Sequence, residues 1–116
     1  MTTESGFIVA TDETLARIGL ALDEALETGN TDVDWTLNDG ILEIECEDGS
    51  KVIVNRHVPN REIWVAARSG GFHFRAHEGR WRDTRSNDDL EVTLARILRA
   101  QAGIAAKLPR LSAPDA

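Results

Sequence analysis

Apolar residues near the start of the chain recur at the three- and four-residue spacing of one helix face. This stripe consists of Leu15, Ile18, Leu22, Ala25 and Leu26. Thr11, which two acidic residues follow, is typical of an N-cap, and Gly29 is typical of a helix end. We therefore predict a helix over residues 12–28, with residues 1–10 loosely ordered. Gly19 weakens such a helix by roughly 1 kcal/mol relative to Ala, so we expect close packing there.

The pattern then changes to the two-residue alternation of strands that are buried on one side. Apolar and polar residues alternate over 33–37, 42–46, 51–56, 63–67 and 72–76, and again near Trp81. Short turn sequences such as Asp48-Gly49 and Gly70-Gly71 separate these segments. Connections this short predict an antiparallel meander of five or six strands.

A second helix is predicted after the strands. Ser86 and the acids that follow it resemble a capping box, and the pattern ends near Gly103. The apolar stripe is formed by Leu90, Leu94, Ile97 and Leu98. Two amphipathic helices need an apolar surface to cover. We therefore predict an α+β two-layer sandwich over residues 11–104, with both helices on one face of the sheet, the other face open to solvent, and a surface tail over 105–116.

Charge divides the chain into two halves. Residues 1–50 hold thirteen Asp and Glu against one basic residue, Arg17, whereas residues 51–116 hold seven acids and twelve Lys and Arg. An acidic surface within a folded domain costs self-repulsion, which favours a role in binding cations or a basic partner. No apolar stretch approaches the ~20 residues that span a membrane, and no secretory leader is recognisable. With Cys46 as the one cysteine, we expect a cytoplasmic protein.

Carboxylates cluster where the first helix leads into the first two strands. The predicted metal-binding residues are Asp23, Glu24, Glu27, Asp32 and Asp34, and Glu43 and Glu45 extend the acidic surface. Carboxylates without His or Cys neighbours are hard oxygen ligands, suited to Ca, Mg, Mn or iron. The alternative is an acidic face that is merely solvated or that docks a basic protein. Enzyme chemistry is not indicated, because no nucleophile elbow or phosphate loop is present.

The open sheet face carries a second candidate. If Ile63 and Val65 face the helices, Trp64 points outward beside Asn55, the composition of a protein-interaction hot spot. A bulge that shifted the alternation would instead make Trp64 a core residue. Stacking of single-stranded nucleic acid on Trp64 is a further alternative. The acids on the neighbouring strands argue against it, because they repel phosphate.

Several segments resemble the frataxin family in its bacterial CyaY form. They are DVD at 32–34, NDGIL at 38–42, DGSKVIVNR at 48–56, EIWVAA at 62–67, GGFHF at 70–74 and GRW at 79–81. The resemblance covers about residues 12–103. It implies a non-enzymatic protein with a helix–sheet–helix fold, which binds ferrous or ferric iron weakly through surface carboxylates and modulates iron–sulfur cluster assembly.

The resemblance also implies partners and site residues. The family's acidic ridge corresponds to Asp23, Glu24, Glu27, Asp32 and Asp34, and its exposed sheet surface corresponds to Asn55 and Trp64. The implied partner is a cysteine desulfurase, with the cluster scaffold protein as a second candidate. We expect a monomer that iron can convert to an oligomer, and no membrane partner.

Overall fold

The computed structural model describes residues 3–29 and 31–114, which form a six-stranded sheet and two helical segments. Helix α1 spans Glu4–Thr28, and helix α2 spans Leu90–Ile97 and continues as a π-helical turn over Leu98–Ala102. The strands are β1 (Asp34–Asn38), β2 (Ile41–Glu45), β3 (Lys51–His57), β4 (Glu62–Ala67), β5 (Gly70–His77) and β6 (Arg80–Asp83). They lie in chain order, each antiparallel to the next. The predicted fold class, helices on an antiparallel sheet, is confirmed.

The core lies between the helices and one face of the sheet. Alternation places Leu42, Ile44, Val52, Val54, Ile63, Val65, Phe74 and Trp81 on that face, where all are buried. Leu15, Ile18 and Leu22 of α1 and Leu90, Leu94 and Leu98 of α2 complete it. The intervening strand residues form the other face, which no helix covers, and this open sheet face carries Trp64.

Helix α1 begins eight residues earlier than the pattern predicted. Its N-cap is Thr3, whose side chain accepts a hydrogen bond from the N–H of Gly6 at 3.0 Å. Thr11 does not cap the helix. It is buried within α1, and its hydroxyl donates to the carbonyl of Phe7 at 2.8 Å. The extra turns place Phe7 against Trp81, with ring centroids 6.1 Å apart. Residues 4–10, expected to be loosely ordered, are therefore helical.

The second helix begins later than predicted but ends near Gly103, as predicted. It begins at Leu90, so its N-cap is Asp89, whose carboxylate pairs with Arg80 instead of capping the helix. Ser86 lies in the preceding turn and accepts from the N–H of Asp88 at 3.2 Å. The π-helical turn ends at Gly103, whose left-handed backbone (φ 68°) favours glycine.

The chain after Gly103 packs more closely than a surface tail. Leu111 is buried, and its N–H donates to a carboxylate oxygen of Glu91 at 3.2 Å. The N–H of Ala113 donates to the carbonyl of Gly79 at 2.8 Å, beside the bend between β5 and β6. Residues up to 113 thus extend the core past the boundary at 104 that the pattern suggested. No helix in the described part of the chain has the length and apolar character to span a membrane.

Candidate functional site

The packing contact between α1 and β1 positions the first candidate surface. Trp35 of β1 lies over Gly19 of α1 so closely that a Cβ on Gly19 would come within 2.7 Å of the indole ring. The indole Nε1–H donates to a carboxylate oxygen of Asp23 at 2.9 Å. The close packing expected at Gly19 is therefore present. Trp35 itself is half-buried and joins the helix to the sheet edge.

The acidic ridge, which we define as Asp23, Glu24, Glu27, Asp32 and Asp34, is exposed along its whole length. Asp34 also lies directly opposite Glu45 across the β1–β2 pair, an arrangement that destabilises a sheet. Among the residues that the structure describes, no member of the ridge forms an ion pair with a Lys, Arg or His. Glu43, in contrast, is half-buried and lies 3.5 Å from the ammonium of Lys51. The ridge is thus a surface of uncompensated negative charge.

The ridge carboxylates are spread out and do not converge. Within residues 3–29 and 31–114, no three His, Cys, Asp or Glu side chains come together in an arrangement that could hold a metal ion. A cation at this surface would therefore meet one or two carboxylates and complete its coordination with water. Such sites are weak and exchangeable.

Asp48, in the turn between β2 and β3, differs from the ridge carboxylates because it has several partners within the protein. It accepts hydrogen bonds from the hydroxyl and the N–H of Ser50, at 2.6 and 2.9 Å, and pairs with Arg68. These contacts, the Ser50 hydroxyl first, hold the pKa of Asp48 well below its usual range. Its oxygens are already occupied, so Asp48 does not extend the ridge.

The second candidate surface centres on Trp64, which lies on the open sheet face as the alternation predicted. Its neighbours in sequence, Ile63 and Val65, are buried on the helix side, whereas Trp64 is half-buried. The imidazole of His57 stacks on one indole face, with ring centroids 3.6 Å apart and planes at 10°. The imidazole of His73 stacks on the other, at 4.3 Å and 8°. Three neighbouring strands contribute one ring each.

Glu62 completes this group and is the residue that the sequence did not single out. Its side chain is only 4 % exposed although it lies on the open sheet face. One carboxylate oxygen accepts from the indole Nε1–H of Trp64 at 2.8 Å and lies 3.7 Å from Nδ1 of His73. The other oxygen accepts from the guanidinium of Arg75 at 2.6 Å. We call Trp64, His57, His73 and Glu62 the tryptophan clamp.

Asn55 lies beside the clamp, as predicted. It is directly opposite Trp64 on β3, and Ile41 of β2 is opposite Asn55 in turn. Ile41 is 46 % exposed, so an apolar side chain, an amide and an indole edge follow one another across the open sheet face. This row has the mixture of apolar and hydrogen-bonding groups found at protein interfaces.

The clamp bears on the nucleic-acid alternative. Single-stranded nucleic acids bind by stacking bases on aromatic faces. Both faces of Trp64 are covered by histidine rings, which leaves only the indole edge accessible. The geometry therefore favours a protein partner, which can contact the indole edge of Trp64, over a nucleic-acid base, which would have to stack on an indole face.

Comparisons with known proteins agree with this fold and with the resemblance. A frataxin-like domain model matches residues 1–104. A protein named iron–sulfur cluster assembly protein CyaY from Dechloromonas aromatica is 50 % identical over 101 residues, which is 86 % of this chain and 92 % of the relative. One of the same name from Cupriavidus pinatubonensis is 43 % identical over 105 residues, covering 90 % and 95 %. The solved structure of frataxin from Psychromonas ingrahamii superposes with a TM-score of 0.77 at 28 % identity, covering 95 % of this chain and all of that one.

Proposed function

The chain belongs to the frataxin-like family, and from that premise we propose that it serves iron–sulfur cluster assembly as an iron-binding regulator that docks on a cysteine desulfurase. It acts as a binding protein and not as an enzyme. Its relatives named as iron–sulfur cluster assembly proteins support the process. The acidic ridge and the row around Trp64 support the manner of binding.

The observation that carries the proposal is the lack of internal ion pairs along the ridge in the described part of the chain. Like charges that no partner neutralises destabilise the folded state. A ligand that supplies positive charge removes that cost, so the ridge favours cations and basic protein surfaces alike. Four of these acids lie on helix α1 and strand β1, and the contact of Trp35 with Gly19 and Asp23 joins the two elements.

Iron is the cargo that we assign to the ridge. Ferrous and ferric ions accept hard oxygen ligands, and one or two carboxylates with water would hold them weakly enough for release. Glu43 and Glu45 extend the same surface onto β2, although Lys51 already engages Glu43. Bridging of carboxylates from two copies by iron would explain an iron-induced oligomer of a protein that is otherwise monomeric.

The open sheet face is the docking surface in this proposal. Asn55 and Trp64 lie opposite each other at its centre. The ridge at one edge of the sheet supplies charge complementary to a basic surface on the desulfurase. The cluster scaffold protein is a second partner that the same row could contact.

The test is an anaerobic ferrous titration with a desulfurase binding measurement on one matched pair of variants. Asp23→Asn with Glu27→Gln removes two ridge charges yet keeps an acceptor for the Trp35 indole. Glu78→Gln with Asp88→Asn removes two exposed charges in turns flanking β6, away from the ridge. We expect the first pair to weaken both interactions and the second to leave them unchanged. Equal effects from the two pairs would show that only net charge matters and would overturn the ridge assignment.

A second function, docking on a basic protein without physiological metal, is favoured by one observation. The ridge carboxylates do not converge on a common point within the described residues. Under this alternative the ridge variant loses desulfurase affinity, while its ferrous binding stays equal to that of the control variant. Under the main proposal both properties fall together.

A further inference from the structure

We infer that Glu62 is a positioning residue, which holds the indole of Trp64 in its docking orientation before the partner arrives. The inference rests on the proposed function, since it concerns the residue to which that function assigns partner contact. It adds a role for a carboxylate on the open sheet face that lies outside the acidic ridge.

The burial of Glu62 requires polar partners for its carboxylate. A carboxylate that is 4 % exposed loses most of its hydration, which is costly unless other groups replace the water. Three groups face it: the indole N–H of Trp64, the imidazole of His73 and the guanidinium of Arg75. Arg75 is itself 63 % exposed, so water can hydrate the guanidinium from outside. The indole N–H of Trp64 donates to the carboxylate at 2.8 Å, and the ring takes its orientation from this bond.

The histidine rings on both faces of Trp64 restrict the orientation of its indole. His57 and His73 prevent the ring from tilting, and the bond to Glu62 fixes which edge points inward. A side chain held this way loses little further freedom on binding, which is how preorganisation strengthens a complex. Without the carboxylate, the indole N–H must turn outward to reach water, because an unpaired buried donor is unfavourable. The edge offered to the partner would then change.

Two substitutions separate positioning from mere packing. Glu62→Gln keeps a carbonyl acceptor at the same place, whereas Glu62→Leu keeps the approximate volume and removes every acceptor. We expect Glu62→Leu to weaken desulfurase binding about three- to tenfold, from the ordering cost of one side chain. Glu62→Gln should stay within about twofold of the parent, on the same scale. An equal loss in both variants would mean that the charge matters and not the acceptor, and would overturn the inference.

A double-mutant cycle tests whether Glu62 acts through the indole. Phe at position 64 keeps an aromatic ring and has no N–H, so Glu62→Leu in a Trp64→Phe background has no bond to break. We expect its effect on affinity to vanish there, a clear departure from additivity. The same fold-loss in both backgrounds would show that Glu62 acts independently of Trp64.

The indole N–H resonance of Trp64 supplies a readout that does not need the partner. Its signal is the one lost in Trp64→Phe. We expect Glu62→Leu to shift it and to speed its exchange with water, while Glu62→Gln leaves it protected and the Trp35 and Trp81 signals stay in place. An unmoved Trp64 signal in Glu62→Leu contradicts the inference. If the parent protein fails to bind the desulfurase, the proposed function falls, and this resonance alone decides the clamp.

Discussion

The acidic ridge and the tryptophan clamp lie on the same molecule but treat polar groups in opposite ways. Every ridge carboxylate is exposed, and none forms an ion pair within the described residues. The clamp carboxylate, Glu62, is buried and has three polar neighbours. One surface leaves its charges for a ligand to satisfy, whereas the other satisfies its own charge to fix a ring.

This difference predicts different kinds of binding. Exposed charges act over a distance of about a Debye length, ~8 Å at physiological salt, and mainly set association rate and orientation. A fixed aromatic edge acts only on contact and mainly sets how slowly a complex dissociates. We therefore expect the ridge to guide the partner and the clamp to retain it.

Replacing Trp64 should have the largest effect. We expect Trp64→Ala to cost ~2 kcal/mol or more of desulfurase affinity, as for an interface anchor. The loss should appear in the dissociation rate. Because Trp64 is half-buried on the open sheet face, the loss of unfolding free energy should stay below the ~3–5 kcal/mol of a core Trp deletion.

Affinity and thermal melts on this variant should be compared with those of Val92→Ala. Val92 is 56 % exposed on α2, so its truncation removes apolar surface away from the open sheet face. A stability loss as large as a core deletion would contradict the position of Trp64. Unchanged dissociation would remove Trp64 from the interface.

Reversing two ridge charges should have the second-largest effect. Glu24→Lys with Glu27→Lys should slow desulfurase association about tenfold at low salt, since steering by charge changes rates by at least that factor. Stability should change by less than ~0.5 kcal/mol, because both residues are exposed. Asp23 is left unchanged, because it holds the Trp35 indole.

The measurement is stopped-flow association at two salt concentrations. Reversal of Glu78 and Asp88 to Lys is the matched control. An effect on dissociation with unchanged association would show that the ridge makes direct contacts and would break the proposed division.

The overall fold could be predicted from the sequence because its signals are local. Alternation in the strands and short turns between them leave few ways to arrange a meander, and the six observed strands follow that pattern. The start of α1 could not be predicted the same way. Thr11 has the chemistry of a cap, and only the contact of Phe7 with Trp81, distant in sequence, makes the added turns favourable. Competition between a local cap and a distant contact is decided by packing.

The site was predictable in part for a similar reason. Periodicity predicts that acids on the polar face of a helix end and at outward strand positions are exposed, and the ridge acids of α1 and β1 are exposed. The clamp depends on register, because His57, Trp64 and His73 meet only when three strands pair as they do. Glu62 precedes Trp64 by two residues on one face, a spacing that does not by itself predict burial. Only its three neighbours explain why a carboxylate is covered there.

Substituting Gly19 tests whether its contact with Trp35 holds the ridge in place. Gly19→Ala should gain about 1 kcal/mol of helix propensity. It should lose more than that, because the new methyl group overlaps the Trp35 ring, and overpacking costs ~1–3 kcal/mol. We expect a net loss of ~1 kcal/mol in unfolding free energy by denaturant titration. Leu20→Ala, at an exposed position of the same helix, is the control. A stabilised Gly19→Ala protein would show that Trp35 moves aside freely and that the ridge is not held by this contact.

Screening should produce the smallest change and separates the two surfaces most directly. Raising NaCl relieves repulsion along the ridge, which we expect to stabilise the fold by ~0.5 kcal/mol, or roughly 2–4 °C in Tm. Divalent cations should act in the same direction at lower concentration, because they bind the folded surface preferentially. The Trp64 indole resonance should not move under the same salt, since Glu62 is buried with its own partners. Glu24→Gln with Glu27→Gln should reduce the salt effect, because fewer charges then repel. A parent protein whose Tm ignores salt, or whose indole signal follows it, would mean that the ridge and the clamp do not differ in the way their burial indicates.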